Sequence, residues 1–292
     1  MSDLDQRLNA YRPDLADAAL EGRVSAARFV TGTAAQVQRG CAALHGTPNH
    51  DAALATQLLF GERVTCFDQA GGWAWVQSRD DGYVGYVAAE ALADPFAEAT
   101  HMVATLRTFV YPAPDLKTPP LDCLSMSATV AVTGTEDRFS RIAHPAHDSA
   151  CVYSAHLAAR DAVAVDYTAT AMQFLGTPYL WGGKDSLGLD CSGLIQVALA
   201  RAGIACPRDS DMQAASIGTA VPWSAGKSVP RYGDLLYMPG HVVIALDETR
   251  MLHVNAHHMM VSIEPLADVC ERIAQESGRP PEQAVDVIRR PV

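Results

Sequence analysis

The rhythm of the chain changes near residue 160, and that change limits what it can fold into more than any single motif does. Upstream, residues 55–92 run "ATQLLFGERVTCFDQAGGWAWVQSRDDGYVGYVAAEAL". Short apolar–polar alternations are cut by Gly-Glu, Gly-Gly and Asp-Gly turns, the pattern of a small closed barrel of short strands. Residues 102–157 repeat the logic loosely, with "HMVATLRTFVYPAPDLKTPPLDC", "ATVAVTGTEDRFSRIA" and "ACVYSAHL". The similarity of the two stretches predicts a divergent duplication of one β module. Ahead of them, "DLADAALEGRVSAARFV" has helix formers and apolar spacing near 3.6, which predicts a helical lead-in over residues 1–30.

The run from "LLFGERVTCFDQAGGWAWVQ" to "DGYVGYV" resembles a bacterial SH3-like domain. The resemblance implies two such barrels, over 31–97 and 98–160, of a kind that binds cell-wall peptide or shapes a neighbouring site. Trp73, Trp75, Tyr83 and Tyr86 read as barrel core and barrel surface.

Downstream, over 161–292, "DAVAVDYTATAMQFLG" predicts a helix ending at Gly176, and "TPYLWGGKDSLGLD" a glycine-rich loop. "CSGLIQVALARAG" predicts a second helix, with Asp190 as N-cap and Gly203 as terminator. "RYGDLLYM", "HVVIALD", "MLHVNA" and "MMVSIEPL" read as successive strands, and "DVCERIAQESG" as a last helix. Helices first and antiparallel strands afterwards define an α+β domain.

A net charge of −11 without any Lys/Arg cluster argues against a nucleic-acid or anionic-membrane partner. The charged N-terminus lacks the basic–apolar–small order of an export signal, so the expected location is cytoplasmic. Seven scattered cysteines with no C-x-x-C pair predict neither a disulfide framework nor a structural zinc site. Most of them should be buried thiols.

Cys191 differs because it opens a capped helix, where unpaired N–H groups and the macrodipole favour a thiolate and predict a lowered pKa. A nucleophile also needs a base and an orienting group. His45, His50, His101, His144, His147 and His156 lie among the β modules and read as structural or surface residues. His241 and His253 lie in predicted strands joined by a hairpin whose tip is near Asp247–Arg250. A three- or five-residue tip puts both on one face, about 7–8 Å apart at the backbone, whereas a four-residue tip puts them on opposite faces. "HVNAHH" also offers His253, His257 and His258, but its strand-and-turn pattern and lack of an acidic third ligand speak against a metal site.

Taken together, "FLGTPYLWGGKDSLGLDCSGLIQ", "GIACPRDSDMQ", "GDLLYMPGHVVIAL" and "LHVNA" resemble the NlpC-type (NlpC/P60) cysteine peptidases, papain-like enzymes acting on bacterial cell-wall peptides. The resemblance spans about residues 165–270. It implies Cys191 as nucleophile, His241 as general base and His253 as the third, orienting residue. It places Tyr179 beside the nucleophile, suited to hold an oxyanion, and Trp181 in the same loop. With two β modules upstream, the chain resembles the γ-D-glutamyl-L-diamino-acid endopeptidases, which cut murein peptides carrying a free N-terminal L-Ala. That implies Asp190 and Ser192 as partners of the substrate ammonium, with Glu62 and Tyr83 of the first β module walling the pocket. Arg208, Asp209 and Ser210 would meet the rest of the peptide. No metal or organic cofactor is implied, and a cytosolic enzyme of this kind would recycle imported wall fragments. The alternatives are a related Cys–His amidase or acyltransferase, or a non-enzymatic wall-peptide binder.

Overall fold

The computed structural model describes residues 4–224 and 228–291, divided into two compact units that meet in sequence at Ala162/Val163. In the first unit, the strands between Thr33 and Ala93 form a seven-stranded antiparallel sheet. Its order is Leu54–Leu59, Cys41–His45, Val84–Ala88, Trp73–Ser78, Arg63–Ala70, Thr33–Val37 and Leu92–Ala93. Alternate residues of these strands, among them Val37, Leu44, Leu58, Val64, Val76 and Val87, point inward and form one apolar core.

A second sheet runs Asp122–Ser125, Arg107–Tyr111, Cys151–Tyr153, Phe139–Ile142 and Val132–Glu136. These five strands follow the order of the first five strands of the first sheet. In both modules a single 3-10 turn, Ala89–Ala91 or Ser154–His156, precedes the closing strand. The loose repeat in the sequence is therefore a duplicated module. Leu59 and Phe60 of the first module lie in the core of the second, and Thr129 donates its N–H to the Phe60 carbonyl.

The predicted helical lead-in is not formed. Residues 4–30 hold a 3-10 turn at Ala18–Leu20 and a two-residue parallel pairing of Ala16–Asp17 with Phe29–Val30. Pro13 and Gly22 interrupt any long helix, and the apolar residues serve a different purpose. Ala10 and Leu15 pack on Phe67 and Trp75, while the Arg12 guanidinium lies 4.6 Å over the Trp75 ring and pairs with Asp68.

The second unit is α+β. Its first helix is Tyr167–Met172, shorter than the predicted 161–176, because Asp166 caps it by accepting from the N–H groups of Thr168 and Ala169. The helix Cys191–Arg201 is buried around most of its circumference, as a central helix must be if it is apolar on every side. Behind it stands a six-stranded antiparallel sheet in the order Thr219–Val221, Val287–Arg290, Leu235–Met238, His241–Ala245, Arg250–Asn255 and Met260–Pro265. Helix Leu266–Ser277 covers the sheet with Val269, Cys270, Ile273 and Ala274, and ends at Gly278 in the left-handed conformation. Among the described residues, no helix is long and apolar enough to cross a membrane.

Candidate active site

Asp190 opens the site. One carboxylate oxygen accepts from Gly193 N–H at 2.7 Å, the capping bond of the helix, and the other from Gly182 N–H at 2.9 Å. The Arg208 guanidinium closes on the same carboxylate at 3.0 and 2.7 Å, while reaching Ser192 Oγ at 2.8 Å and the Gly183 carbonyl at 3.3 Å. Ser192 Oγ donates to Asp190 at 3.2 Å. The loop at 182–183 and the first helical turn are thereby stapled together. Gly193 is required by that closeness, since a Cβ there would lie 2.1 Å from the Gly183 carbonyl oxygen. Gln213, wholly buried in the helix Ser210–Ser216, donates to the carbonyls of Ser192 and Pro207.

Cys191 is the first residue of this helix. Its sulfur accepts from the backbone N–H groups of Val242 and Ser192, so the nucleophile helix and the strand carrying His241 meet at the thiol. The expected lowering of the thiol pKa is reversed. Burial, then the Asp190 carboxylate, pushes the Cys191 thiol up to about 12, against the pull of the two N–H groups and Arg208. The helix N-terminus cannot compensate, because its cap is itself an anion. Burial also takes His241 down to about 3, with His253 and Arg272 adding to the effect. Both shifts favour the uncharged thiol and the uncharged imidazole.

The hairpin resolves the two open geometries. Ile244 pairs with Leu252 and Ala245 with Met251, and Leu246 N–H bonds the Arg250 carbonyl, leaving the three-residue tip Asp247–Thr249. His241 and His253 consequently share a face. His241 Nε2 lies 2.8 Å from His253 Nδ1, with ring centroids 5.1 Å apart. His253 is only 1% exposed.

Sequence reasoning missed what stands behind His253. Glu264 Oε2 lies 2.5 Å from His253 Nε2, and Arg272 grips both Glu264 oxygens at 3.1 and 2.7 Å. His258 Nε2 is 3.0 Å from Glu264 Oε1. Asn255 Nδ2 lies 3.0 Å from Ser262 Oγ and 3.2 Å from His253 Nε2. The one signal in the sequence was an acid near the end of a mostly apolar strand. Its position diagonal to His253, two residues beyond the directly paired Ser262, depends on the register His253↔Ser262, which the turn at 256–259 sets.

Tyr179 is pinned by its N–H to the Met259 carbonyl and by a bridge to Leu189. Burial pushes its phenol up to about 12, with the neighbouring Cys191 sulfur and Asp190 carboxylate adding to the effect, so the O–H remains a donor at neutral pH. Trp181 is 67% exposed in the same loop. Asp209 precedes the helix that begins at Ser210. Arg208 departs from expectation. It is 1% exposed and committed to Asp190, so it braces the site instead of presenting a cation to a ligand. Glu62 and Tyr83 are both buried in the first unit. Tyr83 belongs to the first barrel's core, and Glu62 follows the turn at Gly61. His257 and His258 meet edge to face, and His258 serves Glu264.

Residues 176–272 match the NlpC/P60 family model, and residues 44–92 the bacterial dipeptidyl-peptidase SH3 domain. The second unit carries an NlpC/P60 domain. It is a peptidase of the cysteine type, with an SH3 domain upstream. A Bacillus cereus protein named gamma-D-glutamyl-L-lysine dipeptidyl-peptidase is 27% identical over 241 residues, covering 73% of this chain and 71% of that one. A Bacillus subtilis protein of the same name is 29% identical over 227 residues, covering 70% and 73%. The crystal structure of an NlpC/P60 family protein from Bacillus cereus superposes with a TM-score of 0.72 at 22% identity, over 88% of this chain and 99% of that one, a likeness of fold.

Proposed function

We propose that the chain is a peptidoglycan-peptide peptidase that hydrolyses the amide bond between γ-linked D-Glu and the diamino acid, in peptides whose N-terminal L-Ala is free. The observation that carries this reading is the meeting of the Cys191 sulfur with the N–H of Val242, the residue next to His241, whose ring is bonded to His253, in a chain similar to enzymes named for γ-D-glutamyl-L-lysine cleavage.

Because the resting pair is neutral, the thiol proton moves to His241 as the sulfur attacks the γ-carbonyl carbon. The developing oxyanion meets the Cys191 N–H, which has no acceptor one turn earlier in its helix, and the Tyr179 O–H. His241 then gives its proton to the departing amine, leaving a thioester on Cys191. Water, losing a proton to His241, attacks the thioester. The γ-carboxyl product leaves and the sulfur regains its proton. Asp190, whose charge Arg208 largely offsets, offers the substrate ammonium a hydrogen-bond acceptor more than a free charge. Recycling of imported wall fragments in the cytosol is the role we assign to this activity.

Mass spectrometry of products from L-Ala-γ-D-Glu-L-Lys and its diaminopimelate counterpart, each with a free and an acetylated N-terminus, tests the proposal. The expected result is release of L-Ala-γ-D-Glu from the free peptides, little from the blocked ones and none with Cys191→Ala. Equal cleavage of blocked peptides would remove the ammonium requirement. Intact γ-bonds in every peptide, alongside turnover of a simple amide, would overturn the substrate assignment.

A further inference from the structure

We infer that Glu264, clamped by Arg272, is a positioning residue that sets the direction of the protons through both histidines and so leaves His241 Nδ1 as the atom free to take the thiol proton. The guanidinium of Arg272 reaches both Glu264 oxygens at 3.1 and 2.7 Å, so the carboxylate is ionised and can only accept. Burial works to raise its pKa, but hydrogen bonds from Arg272 and His258, with the nearby His253, hold it down to about 2. The 2.5 Å contact with His253 therefore requires a proton on His253 Nε2.

A neutral imidazole carries one N–H, so His253 Nδ1 becomes an acceptor. The 2.8 Å contact with His241 then requires the proton of His241 to sit on Nε2. Only Nδ1 of His241 is left with a lone pair. The reverse chain would set the Nε2 lone pair of His253 against a carboxylate oxygen 2.5 Å away, two acceptors with no proton between them.

The fold holds a competitor that makes Glu264 necessary. Asn255 Nδ2 lies 3.2 Å from His253 Nε2, and its amide cannot flip because Asn255 Oδ1 accepts the His258 backbone N–H at 2.7 Å. Without the carboxylate, that amide would donate to His253 Nε2, move the ring proton to Nδ1 and reverse both bonds. His241 would then present an N–H outward and could not act as a base. The other polar groups at Glu264 are His258, Arg272 and, through Asn255, Ser262, and none of them favours a proton on His253 Nδ1.

The test reads tautomers directly, by long-range ¹H–¹⁵N spectra of the histidine rings in the full-length protein at neutral pH. In the unaltered enzyme both His241 and His253 should be protonated at Nε2, and a proton on His253 Nδ1 would overturn the inference without any variant. In Glu264→Gln, His253 should shift toward Nδ1–H and kcat should fall by at least about 100-fold, with KM within about threefold. Alkylation of Cys191 by iodoacetamide, which needs no substrate, should slow in parallel, so the result stands or falls apart from the substrate assignment. Glu264→Asp, which keeps the charge, should restore the unaltered tautomers and most of the rate. A fall in kcat with unchanged tautomers would reduce Glu264 to a structural role, and an unchanged kcat in folded Glu264→Gln would likewise overturn the inference.

Discussion

Two buried carboxylates flank the catalytic pair, each gripped by an arginine, and they do different work. Asp190 with Arg208 ties backbone together: the Gly182 and Gly193 N–H groups, the Ser192 hydroxyl and the Gly183 carbonyl all converge there. Glu264 with Arg272 faces rings, His253 on one side and His258 on the other. The first pair is the drier, its arginine side chain 1% exposed against 19% for Arg272. One carboxylate fixes where the nucleophile's atoms lie, and the other fixes where the base's protons lie. A fixed position needs a closed network, whereas a fixed proton needs one short bond and an ionised acceptor.

Removing the arginine on the nucleophile side should have the largest effect on stability. Arg208→Met strands a buried carboxylate and should cost about 3–5 kcal/mol, the range for breaking a buried pair from one side. Denaturant unfolding, combined with hydrogen exchange of the Leu194–Leu199 amides, measures it in the catalytic unit. Adding Asp190→Asn should recover part of the loss. A cost no larger than that of Arg272→Met would mean that the two carboxylates are anchored alike.

Acid should separate the two sides next. His253 is held down to about 4, chiefly by burial and despite the pull of Glu264, and His241 to about 3. Unfolded, each titrates near 6.5, so between that value and the folded pKa the unfolded chain binds more protons and stability falls as pH falls. The His253 contribution is on the order of 3 kcal/mol between pH 6.5 and 4. Glu264, lowered to about 2, adds a loss in the same direction below about 4.5. Melting of the catalytic unit from pH 7 to 4 should show a steady decline that His253→Gln flattens. A flat profile in the unaltered protein would contradict the neutral resting pair. No histidine contacts the Asp190–Arg208 carboxylate in the bonds above, so Arg208→Met should leave the slope intact.

Arg272→Met should cost less, about 1–2 kcal/mol, the range for a charge-assisted hydrogen bond at a partly exposed site. Glu264 keeps His253 and His258. The same denaturation series gives the ranking, and equality with Arg208→Met would erase the distinction between the two carboxylates.

The nucleophile side was the more legible in the sequence, for a physical reason. Asp190 lies next to Cys191, and an acid before an apolar period-3.6 run reads as a cap without knowledge of anything distant. The duplicated barrels were legible for a similar reason, since alternation and turns are local. The lead-in at 1–30 misled because helical spacing also suits a segment docked along a groove, and Leu15 packs on Trp75 where the sequence offers no partner. Glu264 was hidden because its meaning rests on two turns at once. The three-residue tip sets His253 against His241, and the turn at 256–259 sets Glu264 against His253. A one-residue slip in either would turn a face outward. The lowered thiol pKa failed differently: the helix end was read correctly, but a half-unit dipole is outweighed by desolvation, with the Arg208-paired Asp190 carboxylate adding to it.

The smallest expected effect on stability is also the one that separates bracing from binding. Ser192 Oγ donates to Asp190 at 3.2 Å and accepts from Arg208 at 2.8 Å, so both its roles are filled inside the nucleophile-side network. Ser192→Ala leaves the Asp190–Arg208 bonds in place and removes only these two, which should cost about 1 kcal/mol in the same unfolding measurement. If Ser192 is a brace, KM for the free L-Ala peptide should change by less than about twofold. A tenfold rise corresponds to about 1.4 kcal/mol of lost binding. With unfolding unchanged, that would show the hydroxyl turning from Arg208 to the substrate ammonium, so that Ser192 joins Asp190 in recognising substrate.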